Sequence, residues 1–333
     1  MKNSVTSDCS YLQELNQLIK NDITKVFGEA KYNFKEYDGF YNKLSYSLDT
    51  GGALKRPLMM YMAYNCIKDT FDEGIKYVAA AIEILHTASL IHDDIIDESS
   101  TRRNCDSVYK KFGISEAILL GDFLIFYSEW LISKYKSKKK DVLISKILNK
   151  TFQNMCIGQF MEKQLIGNLD INLDIYFKVI RFKTAYFFAA ICKIGGILAN
   201  GKSSQLSLLS DFGLNIGIAY QIRDDLINYM DGSSHESKPI DIDEKNRLVT
   251  YPISIAYKLG NKEQKKVLEG FFRLDDTIEP SFLRRILYET GAIEESKQII
   301  CRYVEKAISS LNSLESSKAK AELISFCNSI IVC

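Results

Sequence analysis

Proline is scarce in this chain, four in 333 residues, and glycine stands at 18. Sandwiches and disordered chains use more of both in their turns and loops, so this shortage points to a soluble, helix-dominated protein. Valine-rich alternation of the strand kind is equally scarce, and almost every segment shows helical periodicity. The eight cysteines (Cys9, Cys66, Cys105, Cys156, Cys192, Cys301, Cys327 and Cys333) form no CxxC pair and have no matching histidine cluster. That argues against zinc and for reduced thiols packed as small apolar residues. No uninterrupted apolar run is long enough to span a bilayer, and the first eight residues lack the apolar core of a secretory signal. The cytoplasm is the expected location. A net charge of +1 leaves no electrostatic case for nucleic acid or anionic membrane, so any recognition of charge must be local.

What the chain does contain is two well-separated acidic clusters. The first is His92-Asp93-Asp94-Ile95-Ile96-Asp97, followed by Arg102-Arg103; the second is Gln221-Ile222-Arg223-Asp224-Asp225-Leu226-Ile227-Asn228. On a helix, Asp93 and Asp97 share a face at i,i+4 with Asp94 beside them. Such a spacing alone is usually a solvated face. The flanks argue otherwise, because Ala79 to Ile91 and Phe212 to Tyr220 are apolar helical stretches long enough to be buried. Carboxylates at the end of a buried helix need counter-cations, and Mg²⁺ takes carboxylate oxygens while keeping waters and phosphate oxygens. The arginine pair adds fixed forks that match phosphate. Together these features indicate a diphosphate site.

Breaks between helical segments are short: Asp49 to Gly52, Asp97 to Asp106, Lys134 to Lys140, Gly167-Asn168 and Gly201 to Ser204. The longest polar stretch, Asp231 to Arg247, follows the second cluster directly and reads as a flap over a site. Nothing resembles a linker or a short repeat, so one all-α domain over residues 1–333 is expected.

The motifs in their order resemble the trans-isoprenyl diphosphate synthases. They run from Gly51-Gly52 through Arg56-Pro57, His86, the DDIID string with Arg102-Arg103, Gly121-Asp122, Gly158-Gln159 with Glu162, and Lys183-Thr184. Tyr220-Gln221 with Asp224-Asp225, Lys238-Pro239 and Thr250-Tyr251-Pro252 complete the series. The resemblance implies the isoprenoid synthase type I fold, a large helical bundle around a deep central cavity, with the two clusters facing each other. It implies that three Mg²⁺ ions bridge Asp93, Asp97 and Asp224 to an allylic diphosphate, with Asp94 and Asp225 supporting. Arg102, Lys183 and Lys238 would join them on that diphosphate. Arg56, His86 and Arg103 would hold isopentenyl diphosphate, and Thr184, Gln221 and the Tyr220 ring would stabilise the cation. A homodimer packed through helices is also implied, with an apolar face near Phe112 to Trp130 as the candidate surface.

Three departures touch the resemblance, the least damaging being Asn228, which ends the second acidic motif in place of aspartate, a change some family members tolerate. The family's GGKxxRP turn is Gly51-Gly52-Ala53-Leu54-Lys55-Arg56-Pro57 here, so Ala53 replaces the lysine for isopentenyl diphosphate. Counting back from Thr250-Tyr251-Pro252, the later family lysine falls on Leu248, with Lys245 and Arg247 nearby. These changes keep open a terpene synthase, or transfer of the prenyl cation to another acceptor. A non-catalytic subunit fits poorly, because the first acidic cluster is complete. Ala88 and Ser89, five and four residues before Asp93, are small where farnesyl producers place aromatics, so a product of C20 or longer is expected. Phe123, Phe126, Tyr127, Trp130, Phe187 and Phe188 read either as deeper product-limiting bulk or as plain core.

Overall fold

The computed structural model describes residues 9–49, 52–135, 137–230, 247–272 and 280–331. They are helical almost throughout, as the shortage of breakers requires. The named strands among them are a two-residue hairpin, Thr101–Arg102 (β1) against Cys105–Asp106 (β2). Among these residues no helix is long and apolar enough to cross a membrane.

The chain divides into two compact units. Met1–Ile147, Ile191–Leu206 and Leu314–Leu323 make the first. It contains α1 (Cys9–Asn33), α2 (Asp38–Asp49), α3 (Lys55–Asn65), α4 (Ile75–Ile96), α5 (Val108–Phe112) and α6 (Ile114–Ser133). Val78 to Leu85 of α4 are buried without exception, Glu83 among them, and a helix buried on every face belongs in a core. Accordingly α1, α3 and α6 pack on it. Each of its fully buried isoleucines and leucines is worth about 1.5–3 kcal/mol. Phe123 meets Phe34 and Phe40 edge-on, at ring separations of 5.1 and 4.7 Å, and stacks on Tyr127 at 5.5 Å. Phe123 and Tyr127 are therefore packed against the aromatics around α1 and α2. Phe126, by contrast, is 75% exposed and cannot close an internal wall.

Leu148–Ala190, Ser207–Ser313 and Ile324–Cys333 make the second unit. The helix Tyr251–Leu259 carries six consecutive buried residues from Tyr251 to Ala256. It packs on α8 (Leu173–Ile180) and on the helices Lys262–Phe272, Pro280–Glu289 and Ala292–Ser310. The C-terminal end of α7 (Lys138–Glu162) and most of α10 (Ser203–Ile227) also lie in this unit. Gly167 and Val249 donate backbone hydrogen bonds to Arg247 and Leu165, each at 3.0 Å, which ties the chain before α8 to the chain before Tyr251.

Candidate active site

In the first unit, the last turn of α4 carries Asp93 and Asp94, and Asp97 caps it, donating its backbone N–H to the Asp93 carbonyl at 2.8 Å. The negative end of the helix dipole adds to three carboxylates there, so the site calls for cations. The aspartates do not all face the same way. Asp94 is buried, and Arg102 donates to its Oδ1 through Nε at 2.9 Å and through Nη2. Burial pushes the Asp94 carboxyl above the usual carboxylate range, and Arg102 opposes that shift. Asp93 and Asp97 remain partly exposed.

Among the described residues no three carboxylate, imidazole or thiol side chains converge enough to hold an ion by themselves. Asp93 and Asp97 can supply part of a coordination shell, which suits Mg²⁺, an ion that retains waters and binds through one or two carboxylates plus phosphates.

Arg102 and Arg103 are presented by the β hairpin, whose two-residue turn places Arg103 at φ 53° and Asn104 at φ 62°. Positive φ at both central residues is the tight hairpin geometry that suits right-twisted strands. Asparagine tolerates it; arginine does so at a cost of about 1–3 kcal/mol, a strain that packing must hold.

Arg56 stands in the first turn of α3, with Nη1 2.7 Å from His86 Nε2. A guanidinium can only donate, so Nε2 accepts and the imidazole proton sits on Nδ1. Burial first, then the charges of Arg56, Arg103 and Arg102, hold the His86 pKa well below its ordinary 6.5. His86 is neutral at pH 7. The unfolded chain takes up this proton near pH 6.5 and the folded chain does so only at lower pH, so the stabilisation is complete above 6.5 and is lost on acidification. His86→Gln is expected to remove up to about 1.4 kcal/mol per pH unit of that dependence below pH 6.5. Urea titrations at several pH values measure it, and an unchanged slope contradicts the assignment.

Glu83, one helical turn before His86, is a feature that motif reading missed. It is 4% exposed, and a Cβ added to Gly52 would come within 2.7 Å of its Oε1 and 2.8 Å of Arg103 Nη2. Burial raises the Glu83 pKa, while Arg56 and Arg103 pull it down. The i,i+3 spacing to His86 was the available signal. His92 lies against Gly121, where a Cβ would fall 2.2 Å from Nε2, and that nitrogen is 3.6 Å from Asp122 Oδ1. The Gly121-Asp122 pair thus makes room for the residue preceding Asp93. Ala53 and Lys55 are exposed beside Leu54, which has φ 48°.

In the second unit, a π-helical turn over Arg181–Ala185 joins α8 to α9 (Tyr186–Leu198). Such turns often mark functional positions. Gly158 of α7 allows this turn to approach, because a Cβ there would lie 2.7 Å from the Lys183 backbone nitrogen. Lys183 Nζ donates to Glu162 Oε2 at 2.6 Å. Thr184 donates to Gln221 Oε1 at 2.7 Å, and Gln221 Nε2 donates to Asp225 Oδ1 at 2.9 Å. Asp225 is buried and also accepts from the Tyr176 hydroxyl at 2.6 Å. Asp224 remains partly exposed, and the Tyr220 ring packs on Phe188 at 5.4 Å. Asp224 and Asp225 occupy the last turn of α10, again at the negative end of a helix dipole. Lys238 and Lys245 lie outside the described residues. Leu248 pairs with Ile166 in an isolated antiparallel bridge, and the Arg247 guanidinium stands 5.2 Å over the Phe271 ring.

Residues 38–288 match the sequence model of the polyprenyl synthetase family. The geranylgeranyl diphosphate synthase of Sulfolobus acidocaldarius is 29% identical over 314 residues, covering 92% of each chain. A short chain isoprenyl diphosphate synthase of Methanocaldococcus jannaschii is 31% identical over 249 residues, 75% of this chain and 76% of that one. The crystal structure of a geranylgeranyl pyrophosphate synthetase from Pyrococcus horikoshii superposes with a TM-score of 0.84 at 25% identity, covering 96% of this chain and 98% of that one.

Proposed function

The chain belongs to the polyprenyl synthetase family of trans-prenyltransferases, and on that premise we propose that it condenses an allylic diphosphate with isopentenyl diphosphate. The product is a trans-prenyl diphosphate of C20 or longer. The supporting observation is the division of labour within each acidic cluster. Asp94 and Asp225 are buried and hydrogen-bonded to neighbours, whereas Asp93, Asp97 and Asp224 are partly exposed at helix ends.

Asp93, Asp97 and Asp224 would hold Mg²⁺ with the allylic diphosphate. When bound, the metal neutralises the leaving diphosphate so that the carbon–oxygen bond can break. Arg102, Lys183 and Lys238 bind the same leaving group. Lys183, paired with Glu162 in this structure, exchanges that carboxylate for phosphate oxygens. Diphosphate departs with the bonding electron pair and leaves an allylic cation. The double bond of isopentenyl diphosphate attacks this cation, and loss of a proton completes the new unit. Arg56 and Arg103 grip the second diphosphate as charged forks, and neutral His86 offers Nδ1–H to it without adding charge. Thr184, Gln221 and the Tyr220 ring direct oxygen dipoles and π electrons at the cation.

Diphosphate release from farnesyl diphosphate tests this reading. It should require both Mg²⁺ and isopentenyl diphosphate, and release without isopentenyl diphosphate would reject elongation. Exposed Ala53 and half-buried Leu248, in place of two family lysines, favour the second reading, a terpene synthase acting on the allylic diphosphate alone.

The α6 face supports a homodimer. Leu119 and Phe126, seven residues apart, are 69% and 75% exposed, with Trp130 one turn further at 42%. Large apolar side chains clustered on a surface mark association sites. Phe126→Glu is expected to convert dimer to monomer in sedimentation experiments; a monomeric parent protein contradicts this assignment.

A further inference from the structure

Tyr176 belongs to no motif of the chain, yet it closes a chain of hydrogen bonds that ends on Thr184. Its hydroxyl donates to Asp225 Oδ2 at 2.6 Å, Gln221 Nε2 donates to Asp225 Oδ1 at 2.9 Å, and Thr184 Oγ1 donates to Gln221 Oε1 at 2.7 Å. All four residues lie in the second unit. Gln221 and Asp225 stand at i,i+4 on α10, so their side chains are neighbours. Tyr176 is 1% exposed, its ring packed beside Phe177 and Tyr251 at 5.7 and 5.9 Å, which fixes where the hydroxyl can be.

The polarity of this chain is not arbitrary. A glutamine amide can turn over and exchange its donor and acceptor ends. The Asp225 carboxylate, held by Tyr176, can accept only from the NH₂ end, and so selects it. The amide oxygen is then left for Thr184. Thr184 spends its proton on that oxygen, and the lone pairs of Oγ1 point away from Gln221. With the amide turned over, Thr184 would accept instead, and its proton would face outward toward any developing positive charge.

We propose that Tyr176 is a positioning residue which, through Asp225, sets the direction of the Gln221 amide and hence of the Thr184 hydroxyl dipole. The inference rests on the reading of Thr184 and Gln221 as groups that stabilise the allylic cation.

Tyr176→Phe keeps the packed ring and removes the hydroxyl. With Mg²⁺, farnesyl diphosphate and isopentenyl diphosphate, kcat is expected to fall about tenfold to a hundredfold, with KM for both substrates and the thermal midpoint near the parent values. In the Gln221→Leu background the same change should cost nothing further, because the group it orients is gone. Asp225→Asn, which lets the carboxamide donate to Gln221 and turn it over, should reproduce the loss if Tyr176→Phe folds poorly. Parental kcat in Tyr176→Phe, or equal losses with and without Gln221, would overturn the proposal, since a merely structural tyrosine gives additive effects. Parental kcat in Gln221→Leu would instead remove the cation-stabilising reading on which it stands, a result separable from the Tyr176 measurements.

Discussion

Asp93→Ala or Asp224→Ala should lower kcat about a thousandfold or more, equivalent to ~4 kcal/mol of transition-state stabilisation. Both residues are partly exposed in the last turns of α4 and α10. Removing a carboxylate from the negative end of a helix relieves repulsion, so the thermal midpoint should stay level or rise. The buried neighbours should behave in the opposite way. Asp94→Ala and Asp225→Ala remove partners of Arg102, Tyr176 and Gln221 and should lower stability by about 1–3 kcal/mol. Circular dichroism melts and Mg²⁺-dependent turnover separate the two classes. Full turnover in Asp93→Ala or Asp224→Ala would remove the metal assignment.

The second large effect concerns the lysine that Ala53 replaces. Ala53→Lys should lower KM for isopentenyl diphosphate about tenfold to a hundredfold, the worth of one charge-assisted hydrogen bond of ~1.5–3 kcal/mol. Ala53 is exposed, three residues before Arg56, whose side chain is already held on His86. A lysine there extends an existing phosphate grip without filling core space. An unchanged KM would mean that another cation, such as exposed Lys55, already serves that diphosphate.

How far the chain could be read in advance depends on whether the controlling contact was local. The all-α fold was legible because few prolines and long apolar periods leave helix as the consistent choice. The acidic clusters were legible because i,i+4 spacing and apolar flanks are properties of one segment. Which aspartate turns inward was not, because that depends on partners elsewhere. Asp94 is claimed by Arg102, brought back by a hairpin whose turn contains no glycine, and Asp225 is claimed by Tyr176, 49 residues away. The π-helical turn over Lys183-Thr184 has no composition signal and depends on the close approach allowed by Gly158. Glu83 was hidden for the opposite reason. Embedded in the apolar run before His86, it reads as an interruption until Gly52 and Arg103 are seen against it. Phe126 was misleading among the candidate product-limiting aromatics, since helical spacing does not say which face of α6 is exposed.

Product analysis of the purified protein decides whether it elongates. Mg²⁺ would be supplied with geranyl, farnesyl or geranylgeranyl diphosphate, each with and without isopentenyl diphosphate, and the products identified by mass. Linear diphosphates of C20 or longer are expected, and only when isopentenyl diphosphate is present. Hydrocarbons or alcohols formed from the allylic diphosphate alone would contradict elongation, and would turn Ala53 and Leu248 into marks of a chain that no longer elongates.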